Sequence, residues 1–594
     1  MGYGAQANRA PARGGGGLSD VDIYKLAVVG RTERGFSGLI RDEIYSMDEF
    51  KTKCGSFGDG SDYIAYVMDS FFQELNLDNP VEVKALGYVA SDAAQADYDI
   101  LDQDATPEAL WTVKAGWKNI DDKSAFGNKI AIKTAIVKEI TMKLTADTGA
   151  TPTTAVMDDV TNLEVGNYIE FADGTNTEVA IITNLVVATK TVTFAALTNA
   201  YTASLTTISR IDVELKVAVK DDKGNYIEKK TWEEPMALSS TIGLAGAVND
   251  PVDGSDYIIL AHNAANATAD PADQIPAELT SWTPLTGGSD GTPPTDSDYN
   301  TLINTYFTDS DVMILLAPES TSITHNGNMA DWATSGYKCM YYAQAANKAS
   351  EATLKNFCGS LKKGITFSML PSDKWVEVED PVTGGKKQIP KVGIDAAHWF
   401  NVYTKFGESK VAAGNKPEMV LNSSARLVDD NGLVHDDILG KGGRLIRDYG
   451  CNICQFRRGI GITNNSARTL STDKGYVFQN QIMAWLLYKK SIKTYLQSIE
   501  QDKSGTRAQE SHYKAVWSYM NRKFKQGHFF QGKKEDGSQT GFSDVVIIVN
   551  DFSINTLIAI ANGIEQMFLQ FVSPPPIEEP ILNLASAPVT SVKG

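Results

Sequence analysis

An uninterrupted run of apolar residues at 312–317, Val-Met-Ile-Leu-Leu-Ala, constrains the fold of this chain more than any other feature. The run ends at Pro318 and has the pattern of a strand that is buried on both faces. A second strand of this kind is predicted at Ile365 to Leu370, after a stretch at 329–362 that has a largely helical pattern. Buried strands separated by helices predict an α/β layer in this part of the chain.

The first ordered part of the chain mixes strand and helix. Alternating residues predict a short strand from Val21 to Val29. The segment from Ser61 to Leu75 places its apolar residues on or beside one helical face, and Val81 to Leu86 follows as a strand. This order predicts an α+β opening.

The segment at 141–210 has a different composition, rich in Thr, Val, Ile, Ala and Asn. Its best strands are predicted at Tyr168 to Phe171, Glu178 to Leu185 and Thr191 to Ala195, and short strands at close spacing indicate a small all-β module. It contains 7 acidic and 3 basic residues, so we interpret it as an insertion exposed on a surface. A β-hairpin is predicted directly after it, with strands at 211–220 and 226–232.

The two ends of the chain resemble extended arms more than packed elements. Residues 1–17 are rich in glycine, and the prolines at 574–576 end the fold before an extended segment from Ile577 to Leu584. Between them, a long helix is predicted from Tyr476 to Glu500, and strands are predicted at 545–550 and 564–571.

A length of 594 residues is too great for one hydrophobic core, so we expect three or more domains. The predicted fold class is a multidomain α+β and α/β protein, with a mixed sheet-and-helix core, an inserted small all-β domain and extended N- and C-terminal arms. The predicted boundaries are an N-terminal arm at 1–20, a discontinuous α+β domain at 21–140 and 211–290, the inserted β domain at 141–210, a middle α/β domain at 291–460, a basic C-terminal domain at 461–573 and a C-terminal arm at 574–594.

Charge is distributed unevenly along the chain. The whole sequence has 55 Lys or Arg and 73 Asp or Glu, a formal charge of −18, whereas residues 441–534 have 18 basic and 5 acidic residues. The acidic total argues against a nucleic-acid coat. The basic region predicts an acidic partner, which could be nucleic acid, an acidic protein or an acidic face of another copy of the chain; a solvated basic face is the remaining alternative.

Several classes of protein are excluded by what the sequence lacks. No run of eighteen apolar residues occurs, and the first residues do not have the pattern of a signal peptide, so we expect neither membrane insertion nor secretion by that route. Five Cys cannot form a disulfide framework, which suits synthesis in a reducing cytoplasm. With six His, an imidazole-rich metal centre is not expected.

The motifs that could carry catalysis are incomplete. Cys451 and Cys454 form a CxxC without a second pair at zinc spacing, and we interpret them as buried thiols. The glycine-rich 440–443 lacks the spacing of a P-loop, and a triad assembled from Asp311, His398 and Ser423 has no local activating group. We therefore expect no catalysis, no cofactor and no metal.

Aromatic and basic residues interleave between Tyr513 and Phe529. Such a pattern could stack single-stranded nucleic acid, but we favour the alternative interpretation, an amphipathic helix with aromatic residues inward and lysines outward.

Five short segments follow one another along the chain: Val29 to Gly35, Gly55 to Gly58 with the helix at 65–72, Ser124 to Ile130, Leu285 to Gly291 and Ser466 to Leu470. In this order they resemble the motifs of contractile-tail sheath proteins, the family of phage tail sheaths and related injection machines. The sequence departs from the family in having Asn464-Asn465-Ser466 where the family has Trp-Gly before Ala467.

The resemblance implies a structural subunit without catalysis that forms six-membered rings stacked helically around an inner tube. It implies a middle domain that is subtilisin-like in shape but not catalytic. The implied partners are other copies of the chain, an inner tail tube protein, and baseplate and tail terminator proteins, with no direct nucleic acid and no stable membrane insertion. The implied location is a virion tail assembled in the host cytoplasm.

The resemblance also implies two sets of contact residues. Neighbouring subunits of this family exchange strands through their arms, which match Val21, Ile23, Lys25, Ala27, Val29, Ile577, Ile581 and Leu584 here. The basic region lies where the family's inner domain faces the tube, so Lys489, Lys490, Lys493, Arg522, Lys523 and Lys525 are predicted tube contacts. The alternative is a capsid or surface protein that uses residues 441–534 to bind nucleic acid or an acidic polymer.

Overall fold

The computed structural model describes residues 18–526 and two further strands at 546–549 and 567–570. The positions within 18–526 that are not described are 19, 21, 23, 37, 39, 59–62, 77–79, 222, 238, 240–241, 264–269, 308–311, 337, 409, 415–425, 428–444, 458–459, 474–475 and 499–505. Across the described residues, none of the helices has the length and apolar composition that crossing a membrane requires.

The elements fall in the following order. The strands are β1 (Lys25–Arg31), β2 (Ile40–Ile44), β3 (Glu82–Tyr88), β4 (Asp97–Leu101), β5 (Ala109–Trp117), β6 (Ile120–Asp121), β7 (Ile130–Val137), β8 (Thr141–Lys143), β9 (Thr154–Val156), β10 (Tyr168–Ala172), β11 (Thr177–Ile181), β12 (Asn184–Val186), β13 (Thr191–Thr193), β14 (Thr207–Arg210), β15 (Asp212–Lys220), β16 (Tyr226–Pro235), β17 (Ile258–His262), β18 (Leu279–Pro284), β19 (Ile314–Leu316), β20 (Met340–Tyr342), β21 (Ser368–Met369), β22 (Trp375–Glu379), β23 (Lys386–Pro390), β24 (Arg426–Leu427), β25 (Cys454–Arg457), β26 (Gly461–Asn464), β27 (Val546–Val549) and β28 (Met567–Gln570). The α-helices are α1 (Met47–Cys54), α2 (Tyr63–Glu74), α3 (Gly243–Val248), α4 (Asp296–Tyr306), α5 (Ile323–Thr334), α6 (Glu351–Leu361), α7 (Val392–Phe406), α8 (Gln479–Ser498) and α9 (Thr506–Lys525).

A six-stranded sheet in the order β2-β3-β1-β19-β20-β21 forms the centre of the molecule. Strands β3, β1, β19, β20 and β21 are parallel, and β2 joins the edge antiparallel to β3. In this register Ala27 lies opposite Lys84 on one side and Leu315 on the other. The strand predicted from the apolar run is thus an interior strand, and its residues 312–317 are all buried.

Helices cover both faces of this sheet. Leu26 and Val28 point into a core that contains residues of α2, α7 and α8. Ala27 and Val29 point into a second core with residues of α4, α5 and α6. Alternate residues of β1 therefore serve opposite cores, which is why this strand has no polar face.

Two smaller sheets, β17-β5-β4 and β16-β15-β7-β18, share a third core between residues 96 and 285. The chain enters this part after β3 and returns to the central sheet at β19. Residues 25–88 accordingly share their cores with residues 313–520 and not with 97–285. This differs from the predicted grouping of 21–140 with 211–290, because the pairing of β1 with β19 links segments that are far apart in sequence.

The segment at 141–210 forms a compact β module. Its sheets, β11-β10-β14-β8 and β12-β13-β9, enclose a core of their own that runs from Met142 to Ile208. The hairpin predicted directly after it is also present, as β15 and β16.

One predicted helical stretch is wrong. Residues 329–362 contain the end of α5, strand β20 and helix α6, rather than largely helix. Strand β20 has only three residues and pairs in parallel with β19 and β21, so its conformation depends on neighbours distant in sequence.

Candidate functional site

Arg34 lies in the loop after β1 and is completely buried. Its Nε donates to Asp122 Oδ2 at 2.9 Å, and its other nitrogens donate to the backbone carbonyls of Thr52, Gly116 and Asp256 at 2.6, 3.1 and 2.8 Å. A buried guanidinium requires this number of acceptors because each unpaired N–H would be costly. One side chain therefore connects the central sheet to three other segments of the chain.

Aromatic rings surround the same guanidinium. Its central carbon lies 4.8, 5.1 and 5.4 Å from the ring centroids of Phe36, Phe126 and Tyr257. Cation–π contacts of this kind strengthen when they are shielded from water, as they are here.

The segments that carry the resemblance meet around Arg34. Asp122 Oδ1 accepts hydrogen bonds from the Gly35 amide at 2.7 Å and the Ser124 hydroxyl at 2.6 Å. Asn128 donates to the Gly288 carbonyl at 2.8 Å and accepts from its amide at 3.0 Å. Segments 29–35, 124–130 and 285–291 thus form one junction between the central sheet and the β-rich part.

A fourth segment joins this junction through Glu33. One carboxylate oxygen of Glu33 pairs with Lys129, and the other accepts the Ser56 amide. Gly55, directly before Ser56, has a φ of 89°, where a Cβ would lie 2.5 Å from that of Glu33. Glycine at this position is therefore a requirement of the junction.

Glu319, just after β19, contacts the opposite side of the same loop. Its Oε1 accepts the Arg31 amide, and Arg31 also lies 3.9 Å from the Asp290 carboxylate. Burial raises the pKa of Glu319 to about 7, although the amide of Arg31 acts in the opposite direction. This carboxyl is therefore poised to titrate near neutral pH.

A second polar cluster fixes the start of the described chain to α9. The buried Lys523 Nζ lies between Asp20 Oδ2 at 2.7 Å and Glu408 Oε1 at 3.1 Å. Tyr519 donates to Asp20 at 2.7 Å, and Arg522 donates to the Leu18 carbonyl at 2.9 Å. The side chain of Leu18 is itself buried in the core shared with α2 and α8. We call these contacts of residues 18–20 with α9 the N-terminal latch.

The six basic residues predicted to face a tube have different surroundings. Lys489 and Lys490 donate to the carbonyls of Gly336 and Val312 in this chain, and Lys523 is buried in the latch. The side chain of Lys493 lies outside the described residues, whereas Arg522 and Lys525 are exposed. The tube contact stays a prediction, and Arg522 and Lys525 are the members whose exposure suits it.

The residues predicted for strand exchange lie only partly in the described chain. Lys25, Ala27 and Val29 lie in β1, which pairs with this chain's own β3 and β19. Their exchange with a neighbouring subunit stays a prediction. The other five, Val21, Ile23, Ile577, Ile581 and Leu584, lie outside the described residues.

The remaining candidates from the sequence have ordinary structural environments where they are described. Cys451 and Cys454 are free, buried thiols, as predicted. His398 is buried, with its Nε2 3.3 Å from Glu74 Oε2. The positions 311, 423 and 440–443 lie outside the described residues. In the part of the chain that the structure describes, no three His, Cys, Asp or Glu residues are placed to hold a metal ion.

Sequence reasoning did not identify Asp122 or the buried Lys391–Asp395 pair on α7. Asp122 gives no local signal, because its partner is 88 residues away. The ion pair of Lys391 and Asp395 could have been predicted from their four-residue spacing in an otherwise apolar segment.

Comparison with known proteins gives the following likenesses. No family model matches the chain, and no curated protein matches it in sequence. Among solved structures, the chain is similar to the sheath tail protein of Desulfitobacterium hafniense, with a TM-score of 0.44, 11% identity, and coverage of 91% of this chain and 94% of that one.

Assemblies of contractile particles also contain similar chains. The helical sheath of the anti-feeding prophage in its contracted state matches with a TM-score of 0.39 and 15% identity, over 50% of this chain and 77% of that one. The contracted sheath of an extracellular contractile injection system called PVC matches with a TM-score of 0.37 and 15% identity, over 51% and 77%.

Proposed function

We propose that this chain is a structural subunit of a contractile tail sheath. The observation that carries the proposal is the junction around Arg34. Four segments that resemble sheath motifs lie far apart in sequence, yet they meet there through Asp122, Asn128 and Glu33. Residues that hold a fold together are the ones that a family retains, so their joint occurrence supports a resemblance of the whole fold rather than of isolated motifs.

In the proposed assembly, subunits form six-membered rings that stack helically around an inner tube and contract by rigid-body rearrangement. The partners proposed are other copies of the chain, the tube protein, and baseplate and terminator proteins, and the proposed location is the tail of a virion or related particle. The chain ends before Leu18 and after Ser573 are proposed to link neighbouring subunits by strand pairing.

The N-terminal latch suits this arrangement. An arm that joins another subunit transmits force to its own subunit at the point where it leaves the fold. Here that point is fixed by the buried Lys523 between Asp20 and Glu408. The Lys523–Glu408 pair is buried, whereas the Asp20 side chain is 38% exposed, so salt should weaken the contact of Asp20 more than that of Glu408.

Electron microscopy of the purified full-length chain tests the proposal. We expect hollow tubes of uniform diameter, since sheath subunits polymerise on themselves. Monodisperse particles that shift single-stranded nucleic acid in a gel assay would contradict the sheath function and favour the binding protein that uses residues 441–534.

A further inference from the structure

Lys391, Asp395 and Asn464 form a buried polar cluster that the proposed function does not use. Lys391 lies directly before α7, Asp395 lies in its first turn, and Asn464 ends β26. Their exposed fractions are 1%, 2% and 3%.

Asp395 Oδ1 lies between the two other groups. It accepts a hydrogen bond from Lys391 Nζ and another from Asn464 Nδ2 at 2.8 Å. Lys391 Nζ also lies 3.5 Å from Asn464 Oδ1. Because the C=O bond is about 1.2 Å long and Nζ approaches Oδ1 as a hydrogen-bond donor, Cγ of the asparagine lies about 3.7–4.7 Å from Nζ. Reacting atoms are about 3–3.5 Å apart before attack, so Nζ has to move closer to Cγ by about 0.5–1 Å.

The second oxygen of the carboxylate is also notable. Asp395 Oδ2 is buried and has no hydrogen-bond partner among the described residues. An ordinary buried ion pair is stabilising only when its remaining lone pairs are satisfied. The unsatisfied oxygen is thus unexpected in a purely structural pair, but it suits a carboxyl group that must take up a proton.

We propose that Lys391 and Asn464 become joined by an amide bond between Nζ and Cγ, with Asp395 as the residue that transfers the protons. The inference does not rest on the proposed function. It assigns a self-modification site within one subunit, which needs no cofactor and no second substrate.

The bond formation balances as follows. Lys391 Nζ gives one proton to Asp395, and its lone pair attacks Cγ of Asn464. The bond from Cγ to Nδ2 breaks while Asp395 passes that proton to Nδ2, which leaves as ammonia. Nζ gives up a second proton to Asp395, from which the departing ammonia removes it as ammonium. Asp395 ends as it began, and the protein loses one ammonia.

Burial of the cluster favours formation of the amide bond over its hydrolysis. Burial by itself lowers the pKa of Lys391, but the Asp395 carboxylate raises it overall, so the resting lysine is protonated and must lose a proton before it can attack. In an environment without water, proton transfer to give two neutral groups is less costly than in solution. Exclusion of water also protects the amide from hydrolysis once ammonia has left.

The bond would cross-link the start of α7 to the end of β26, which are separated by 72 residues in the chain. Such a cross-link restricts the unfolded chain as a disulfide does, but it is insensitive to reduction. This suits a chain whose five cysteines, all buried and free, form no disulfide.

Intact-mass spectrometry of the purified wild-type chain tests the proposal. We expect a mass lower than that of the sequence by one ammonia, and a branched peptide that contains residues 391 and 464 after proteolysis. A folded wild-type protein with the full mass and without the branched peptide would overturn the proposal and leave a buried ion pair only.

Two variants sharpen the test. Asn464→Asp should lose water instead of ammonia, so its product should have the same mass as the wild-type product although the unreacted masses differ. Asp395→Asn should keep its full mass, with circular dichroism to verify its fold. Lys355→Met, at a partly exposed ion pair with Glu351, is the matched control and should react as fully as the wild type. Wild-type ammonia loss that persists in Asp395→Asn would contradict the role given to Asp395.

Discussion

Arg34 Nε lies 2.9 Å from Asp122 Oδ2, and both side chains are completely inaccessible to solvent. The pair joins the loop after β1 to the segment before β7. Removal of Asp122 by Asp122→Ala leaves a buried positive charge without its partner, so we expect a loss of about 3–5 kcal/mol in unfolding free energy. Urea unfolding followed by tryptophan fluorescence measures it.

The control for this prediction is Glu351→Gln, which removes the partly exposed partner of Lys355 on α6. Pairs of this kind contribute about 0.5 kcal/mol or less. Equal urea midpoints for the two variants would show that Asp122 does not stabilise the junction.

Glu319 provides a prediction about pH. Its pKa in the folded chain, about 7, is above the ordinary value of 4.5 because the carboxyl is buried. The folded state then holds the proton more tightly than the unfolded state, so stability falls as the pH rises from about 4.5 to 7 and stays lower above it. Glu319→Gln keeps the oxygen that accepts the Arg31 amide, and its melting temperature should exceed that of the wild type at pH 8 but not at pH 4.

Glu233→Gln, at an exposed position of β16, is the matched control for the pH series. A wild-type melting temperature that does not decline across this pH range, or an equal decline in Glu319→Gln, would contradict the role of Glu319.

Two truncations separate the latch from the residues that precede it. Removal of residues 1–17 keeps Leu18 and Asp20, whereas removal of residues 1–20 leaves Lys523 with Glu408 alone. We expect both products to fold, but only the longer deletion should increase proteolysis of α9. Under the proposed strand exchange, both should elute as monomers in size-exclusion chromatography; long tubes from either would argue against an N-terminal arm in assembly.

The β module can be removed where its ends meet. The Arg210 amide donates to the Ile140 carbonyl at 2.9 Å, so a short Gly-Ser linker can replace residues 141–210 without strain. Because the module has its own core, we expect a soluble product that still forms tubes in electron microscopy. Insoluble protein would mean that the contacts of Tyr168 with the neighbouring core are essential.

The exposed basic residues of α9 give a prediction about the tube. Reversal of charge in Lys525→Glu, which leaves Arg522 of the N-terminal latch in place, should weaken assembly around tubes, most strongly at low salt, where screening is least. Co-sedimentation with tubes at two salt concentrations measures the effect. The control is Lys355→Glu on α6; an identical loss in both variants would indicate non-specific electrostatics.

Local patterns were sufficient to predict many elements. The apolar run at 312–317, the amphipathic pattern of α2, the turn between β15 and β16 and the long helix α8 each depend mainly on residues close in sequence. The module at 141–210 was also predicted, since its strands pair among themselves.

The features that were not predicted depend on residues that are distant in sequence. Strand β20 is too short for a periodic pattern, and its conformation comes from β19 and β21. The pairing of β1 with β19 was also not predicted, because nothing in β1 indicates that a strand so far along the chain lies beside it. In the sequence, the segments of the Arg34 junction appear only as separate short motifs. Their contacts could not be predicted, because the fold brings these segments together from distant parts of the chain.

The interior position of β1 has a consequence for the order of events during synthesis. The ribosome releases β1 and β3 early, but β19, which covers the other edge of β1, emerges only after the whole stretch from 97 to 285 has been made. The β-rich part and its module carry their own cores and can fold meanwhile. Until β19 is made, the apolar strand β1 has one edge without a hydrogen-bonding partner. Unwanted pairing with another chain is therefore a greater risk for the nascent chain than for the finished subunit.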